Sequence, residues 1–322
     1  MKVEVCAPGK LMLTGSYAVV YGRPCVVTAV DQWMTVSAET CEQPHFYLDA
    51  PDFALANYSQ ALARLGQGEV PKPVKFTEIM LKTFLDRYPQ AGGLKVKTAS
   101  QFSSEFGFGS SSAVTVALAR ALVELYDVHL TYQQLFDLCY RAVIKVQGVG
   151  SGFDIASAIW GGTIKYVVPA KVIEAIKVDN LPIVVGYTGI KADTPTLVKQ
   201  VDQLLERQPA RINPLFDQIG QTAEVTQRSL IACDWSKLGK TFTRHHQLVS
   251  QLGVSCPELD KLVSAVLKAG AYGATLSGAG GGDCMLAVVE TKSRSAVEKA
   301  ITQAGGQVIK LGLNAPGTQV KK

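Results

Sequence analysis

The chain has 322 residues, 47% of them hydrophobic and 18% charged, and carries a net charge of +5. That composition supports one large or two ordinary cores and excludes a disordered chain. No basic run of about five residues and no unbroken apolar stretch of about 18 residues occurs, so neither nucleic acid nor a membrane is expected as a partner.

The first 40 residues read as strands and turns. Val3-Glu4-Val5-Cys6, Leu11-Met12-Leu13 and Ala18-Val19-Val20-Tyr21 are short apolar runs broken by glycine and proline, and Gly22-Arg23-Pro24 turns into a strand at Cys25-Val26-Val27. Residues 50–90 read as helical, best over 54–65 and 76–88, and Leu94-Lys95-Val96-Lys97-Thr98 alternates like a strand with one wet face. The clearest helix has Val114, Ala117, Leu118, Ala121, Leu122 and Leu125 on one stripe, with residues 110–112 expected at its N-cap. Helices are also expected over 132–146 and 155–159, followed by a strand at 163–168.

Pro169 and Pro182 bracket a domain boundary, giving an N-terminal domain of 1–175 and a C-terminal domain of 176–322. The second half opens with a strand at 183–187. Helices over 194–207, 213–232 and 257–269 follow, then a strand at 284–289, a helix over 293–304 and a strand near Val308. The polar tail from Ala315 onward is expected to fray.

Seven scattered cysteines without C-x-x-C argue against a zinc or redox site and fit free thiols in a reducing, cytoplasmic setting. No signal peptide is expected, because Lys10 and several polar residues interrupt the N-terminal region.

Four glycine-rich segments punctuate this layout: Ala7-Pro8-Gly9-Lys10, Gly107-Phe108-Gly109-Ser110-Ser111-Ser112, Gly150-Ser151-Gly152-Phe153-Asp154 and Ser277-Gly278-Ala279-Gly280-Gly281-Gly282-Asp283. Glycine-rich turns let backbone N–H groups approach an anion, and a following helix adds its positive end. The second segment is the strongest anion candidate, with three hydroxyls at a helix start. Read alone, it is equally a flexible serine-capped loop. Asp154 has the residue type of a base for an acceptor hydroxyl, or of a helix N-cap. Lys10 is either a solvated lysine or a partner of Asp154 that stabilises charge on a transferring phosphoryl group. Glycines at 278 and 280–282 between apolar runs suggest close backbone approach rather than slack.

Two features are set aside. Leu238-Gly239-Lys240-Thr241 imitates the end of a P-loop, but Asp234 stands where the leading glycine belongs. His245-His246 lacks further ligands for a metal and reads as helix surface.

The four segments, in this order, resemble the GHMP small-molecule kinases over nearly the whole chain. The resemblance implies an α+β (α/β two-domain) fold, with an N-terminal domain like ribosomal protein S5 domain 2 and a ferredoxin-like C-terminal domain. It implies ATP and Mg²⁺, with Gly107, Gly109, Ser110, Ser111 and Ser112 on the ATP phosphates and Ser111 on the metal. Asp154 and Lys10 become the catalytic pair. Lys10, Ser151, Gly152, Ala192, Thr194, Gly280 and Gly281 become acceptor contacts, in a monomer or homodimer.

Within the family the mevalonate branch is most similar. Tyr17, Gly150-Ser151-Gly152-Phe153-Asp154 and Gly280-Gly281-Gly282-Asp283-Cys284 resemble phosphomevalonate kinases, so phosphorylation of mevalonate 5-phosphate is the expected activity. Mevalonate phosphorylation at the 5-hydroxyl is the alternative, and a non-catalytic GHMP-fold binding protein is a third reading that intact Lys10, Ser111 and Asp154 disfavour. Three departures stand out: Ser16 for the usual glutamate, Phe108 for the usual leucine, and Val143 where mevalonate kinases carry a Mg²⁺-linked glutamate. A phosphorylated acceptor would require extra cations near Lys10, for which Lys95 and Lys97 are the candidates.

Overall fold

The computed structural model describes every residue except Ala54, Ser104 and Lys322. Its first half contains β1 (Lys2–Thr14), β2 (Cys25–Cys41), β3 (His45–Ala50), β4 (Leu55–Ala61), α1 (Lys72–Arg87), β5 (Gly93–Ser100), α2 (Ser110–Leu125), α3 (Tyr132–Gln147), α4 (Phe153–Trp160), β6 (Thr163–Val167) and β7 (Val172–Ile176). The second half contains β8 (Ile183–Tyr187), α5 (Thr194–Arg207), α6 (Pro209–Ile231), α7 (Trp235–Ser250), α8 (Pro257–Lys268), β9 (Gly273–Leu276), β10 (Cys284–Val288), α9 (Arg294–Gln303), β11 (Gln307–Ile309) and β12 (Gln319–Lys321). Among the described residues, no helix is long and apolar enough to cross a membrane.

The larger sheet runs β12-β1-β2-β5-β3-β4, with β6 on β2 and β7 on β6. Helix α2 is its keystone. Val116, Ala117, Leu118, Ala121 and Leu122 are all fully buried, because α2 is sandwiched between the β1–β2 pair and the helices α1, α3 and α4. Its alanines allow that close approach. The smaller sheet runs β11-β8-β10-β9, the ferredoxin-like order, and is antiparallel throughout. The two-domain α/β architecture is therefore present.

The smaller sheet is buried on both faces, and the period of two divides its side chains between two cores. Ile183, Val185 and Tyr187 of β8, with Cys284, Leu286 and Val288 of β10, join the core of the first half. Val184, Met285 and Ala287 point the other way, into the core under α8 and α9. Helix α6 adds a second seam. An added Cβ at Gly220 would sit 2.9 Å from the Cβ of Arg23, so only glycine permits that approach. Arg23–Asp217 (2.9 Å) and Lys165–Glu224 (2.7 Å) ion pairs and a Tyr21–Phe216 stack (4.4 Å) line the same seam.

Several expectations need correction. β1 is one strand, because the proline and glycine are absorbed by a register shift between Pro8 and Gly9 against β2. Ala18–Tyr21 is a 3₁₀ turn, not a strand. The helix expected over 54–65 is the strand β4 and a short 3₁₀ turn, with Ala54 outside the described residues. β3 and β7 were not foreseen. The N-cap of α2 is Gly109, and Ser110 to Ser112 form the first helical turn. The tail does not fray through 319–321: β12 pairs with Glu4, Val5 and Cys6 of the first sheet, while Lys322 lies outside the described residues. Helix α7 was missing from the chain-order reading. The P-loop look-alike sits inside it, and an added Cβ at Gly239 would lie 2.4 Å from Tyr272, so that glycine serves helix–strand packing.

Candidate active site

One cleft of about 330 Å³ gathers Lys10 from β1, the 107–112 loop, the 150–155 turn and the 278–279 turn. The backbone makes this possible at a few glycines. Gly107 has φ 70°, and a Cβ there would lie 2.5 Å from Asp283 Oδ2. Gly152 has φ 81°, and a Cβ there would meet the rings of Tyr140 and Phe136 at 2.9–3.0 Å. The loop is pinned by Phe108, whose buried ring packs on Phe102 and Phe106, while Phe106 meets Tyr187 edge-on. This explains the phenylalanine at position 108: it anchors the loop in an aromatic cluster.

Lys10 is nearly buried. Its ammonium donates to the Gly107 carbonyl at 2.8 Å, lies 3.7 Å from Asp154 Oδ1, and sits 5.3 Å from the centroid of the Phe153 ring. The Lys10 backbone N–H donates to the Phe108 carbonyl at 3.0 Å, so β1 and the serine loop are locked together. Asp154 stands in the first turn of α4 with 30% of its side chain open to the cleft, while its Oδ1 is buried without a hydrogen-bond partner. Burial pushes its carboxyl above the ordinary carboxylate value, and the Lys10 ammonium pulls it part of the way back. Ser110, Ser111 and Ser112 open the first turn of α2, where N–H groups lack intrahelical acceptors.

Of the expected site residues, Lys10, Gly107, Gly109, Ser110, Ser111, Ser112, Ser151, Gly152, Asp154 and Thr194 share this cleft. Ala192, Gly280 and Gly281 are not part of its wall. Gly280 and Gly281 instead pack on Val254 and Leu197, where a Cβ would come within 2.1 and 2.7 Å. The Ala192 N–H donates to Asp283 Oδ1 at 2.9 Å. Lys95 and Lys97 lie on the exposed face of β5, away from the cleft. Lys10 is the one Lys or Arg among the described lining residues, facing two carboxylates, Asp154 and Asp283.

Asp283 and Tyr17 are among the lining residues that were not expected. Asp283, 8% exposed, lines the cleft; burial raises its carboxyl pKa, and the Ala192 N–H, Lys10 and Lys191 lower it. Tyr17 contributes its ring to the wall and donates through its hydroxyl to the Ala279 carbonyl. Its φ of 62° and ψ of −51°, with the Ala18 N–H bonded to the Ser16 carbonyl at 2.7 Å, make it the centre of a positive-φ γ-turn. Such backbone costs about 1–3 kcal/mol and persists only where its surroundings hold it. His245 helps to hold it. The His245-His246 pair is not helix surface: both rings are buried, and His245 reaches the backbone of Gly15 and Ser16. Adjacent histidines on a helix give no cue to depth, so sequence reasoning had no means of finding this.

The GHMP kinases N terminal domain profile matches residues 75–162, and the GHMP kinases C terminal profile matches residues 227–307. The mevalonate kinase of Thermococcus sibiricus is 32% identical over 100% of this chain and 99% of its own length. The chain belongs to the GHMP kinases. Among solved structures, L. major mevalonate kinase in complex with R-mevalonate superposes with a TM-score of 0.77 at 25% identity, covering 97% of this chain and 95% of that one. The Streptococcus pneumoniae phosphomevalonate kinase bound to phosphomevalonate and AMPPNP gives a TM-score of 0.79 at 20% identity, over 97% and 99% of the two chains, a likeness of fold alone.

These relatives overturn the expectation that this GHMP kinase is a phosphomevalonate kinase. Several of the residues behind that expectation also brace their loops. Asp283 ties its loop to Ala192, Phe153 lies beside the Lys10 ammonium, and the Gly150 carbonyl accepts from Tyr140 at 2.9 Å. None of them brings a second cation to the cleft.

Proposed function

We propose that this GHMP kinase transfers the γ-phosphoryl group of ATP to the 5-hydroxyl of mevalonate, giving ADP and mevalonate 5-phosphate. The observation that carries the reading is the charge pattern of the cleft: one ammonium, Lys10, facing two carboxylates, Asp154 and Asp283. A phosphorylated acceptor would bring a second cluster of negative charge beside ATP, where Lys10 is the one Lys or Arg among the described lining residues. The 5-hydroxyl of mevalonate is uncharged, whereas a phosphate ester there would add about −1.5 to −2 charge at the reacting end, and a hydroxyl can donate to a carboxylate oxygen.

The step needs positioning and charge stabilisation more than covalent chemistry. The N–H groups and hydroxyls at the start of α2 receive the triphosphate. Asp154 accepts the proton of the hydroxyl as its oxygen bonds to the γ-phosphorus. The bond to the β–γ bridging oxygen breaks, and ADP leaves with the electron pair. A carboxyl raised by burial is a better base than an ordinary one, and the Lys10 ammonium offsets part of that rise. Lys10 also faces the transferring group and offsets its charge.

Among the described residues no cluster of three His, Cys, Asp or Glu could cage a metal. Val143 lies on the cleft wall where a carboxylate would add a ligand. Mg²⁺ keeps several waters and takes phosphate oxygens readily, so the donor set fits a nucleotide-borne ion held by the Ser111 hydroxyl. When bound, that ion neutralises charge on the phosphates.

The test is product identification. Purified protein with Mg-ATP and mevalonate should release ADP and a monophosphate whose phosphorus is coupled to the C5 methylene protons. No ADP above background, with folded protein, would reject the reading.

A further inference from the structure

We infer that His245 is a positioning residue for the acceptor: from α7 in the second domain it fixes the Gly15-Ser16 backbone, so that Tyr17 keeps its positive-φ turn and its ring stays on the cleft wall. The inference rests on the mevalonate reading above.

Its geometry is specific. Nε2 of His245 accepts from the backbone N–H of Gly15 at 3.1 Å and of Ser16 at 3.3 Å. Neither N–H belongs to the β1–β2 ladder, which ends at Thr14 with Val26. Because Nε2 accepts, a neutral ring carries its proton on Nδ1, and that proton goes to Thr275 Oγ1 at 2.7 Å. Thr275 on β9 thus selects the tautomer that the turn requires. A buried side chain that receives two adjacent N–H groups is aimed at the turn, not merely packed near it.

Two further bonds from the same domain grip the segment: Ser277 Oγ donates to the Met12 carbonyl at 2.9 Å, and the Tyr17 hydroxyl donates to the Ala279 carbonyl. Gly15, at φ 98°, abuts Cys25 so closely that an added Cβ would lie 2.5 Å from its Cα, which leaves the turn no room to relax sideways. The serine loop has its own anchor in the Phe102, Phe106 and Phe108 cluster. Loss of the His245 bonds therefore disturbs the Tyr17 wall and spares the triphosphate side.

The test is a steady-state analysis of His245→Leu and His245→Gln with mevalonate and ATP varied in turn. Leucine removes the acceptor and leaves two buried N–H groups unpaired; glutamine returns an oxygen at similar reach. The KM for mevalonate should rise about tenfold or more in His245→Leu, with the KM for ATP within about twofold, and His245→Gln should recover most of the loss. If His245→Leu does not fold, Thr275→Val, which frees the tautomer but keeps the ring, should shift the mevalonate KM in the same direction by about two- to fivefold.

Unchanged KM values with only a lowered melting temperature, or an equal rise in both, would overturn the inference. Failure of the functional reading shows separately, as wild-type protein that does not phosphorylate mevalonate.

Discussion

The Lys10 ammonium donates to the Gly107 carbonyl at 2.8 Å while standing 3.7 Å from Asp154 Oδ1. One cation therefore serves both the loop that faces the nucleotide and the carboxylate that faces the acceptor. At that separation the pair makes no hydrogen bond; burial raises the Asp154 pKa and the Lys10 ammonium offsets part of the rise.

Asp154→Asn keeps the shape and removes the base. We expect kcat with mevalonate to fall by about 10²–10⁴-fold, with ATP affinity within a few-fold of wild type. Steady-state kinetics with a parallel nucleotide-binding titration check this. A variant retaining a tenth or more of wild-type turnover would show that Asp154 only orients the acceptor.

Lys10→Met removes the charge that lowers the Asp154 pKa, while burial continues to raise it. The base then protonates at higher pH. The acid limb of the kcat/KM profile should move upward in pH relative to wild type, on top of a lower plateau. An unmoved limb would mean that Asp154 is not the group that limits activity on the acid side.

The serine loop was readable because its glycines carry a requirement that other residues cannot meet. Gly107→Ala must place a Cβ 2.5 Å from Asp283 Oδ2 at a φ of 70°. We expect the KM for ATP to rise about tenfold or more, from backbone strain of about 1–3 kcal/mol. Gly239→Ala makes the opposite point. That glycine imitates a phosphate loop in sequence and packs on Tyr272 in the fold. Its alanine variant should lose thermal stability while the folded fraction keeps a wild-type KM for ATP.

His245 also predicts a pH dependence of stability. Burial, with a smaller contribution from His246, lowers its pKa from 6.5 to about 3. Between those values the unfolded chain binds a proton that the folded one refuses, so this residue's contribution to stability falls as pH falls, by about 1.4 kcal/mol per unit at the steepest. Urea unfolding of wild type and His245→Gln should differ in slope between about pH 6 and pH 3, with wild type losing more. Parallel curves would place the ring's proton on it in the folded state as well.

The four glycine segments and the helices packed behind them were legible because they are local. Ser110, Ser111, Asp154 and Lys10 each follow a turn that the sequence announces. The errors arise where tertiary contacts decide. Ala18–Tyr21 looks like a strand by composition, yet it coils because α6 and the second domain grip it from outside. The strand β4 was read as helix because its alanines and leucines favour helix, and pairing with β3 overrides that weak preference. The end of the tail pairs with β1, more than 300 residues away in sequence. Asp283 joins the cleft wall, and His245 reaches the Gly15-Ser16 backbone beside it, through buried contacts that no spacing encodes. The acceptor was misjudged because motif letters shared by related kinases around Asp283 and Phe153 were read as marks of one acceptor, and the relatives of the whole chain point to the other.

The most direct measurement is kcat/KM for mevalonate and for mevalonate 5-phosphate with Mg-ATP, product masses checked in each case. The account predicts turnover of mevalonate and, with Lys10 the one Lys or Arg among the described lining residues, a value for the phosphorylated acceptor lower by at least about a hundredfold. Equal or preferred turnover of mevalonate 5-phosphate would contradict it, and would mean that the charge pattern around Lys10, Asp154 and Asp283 does not select the acceptor.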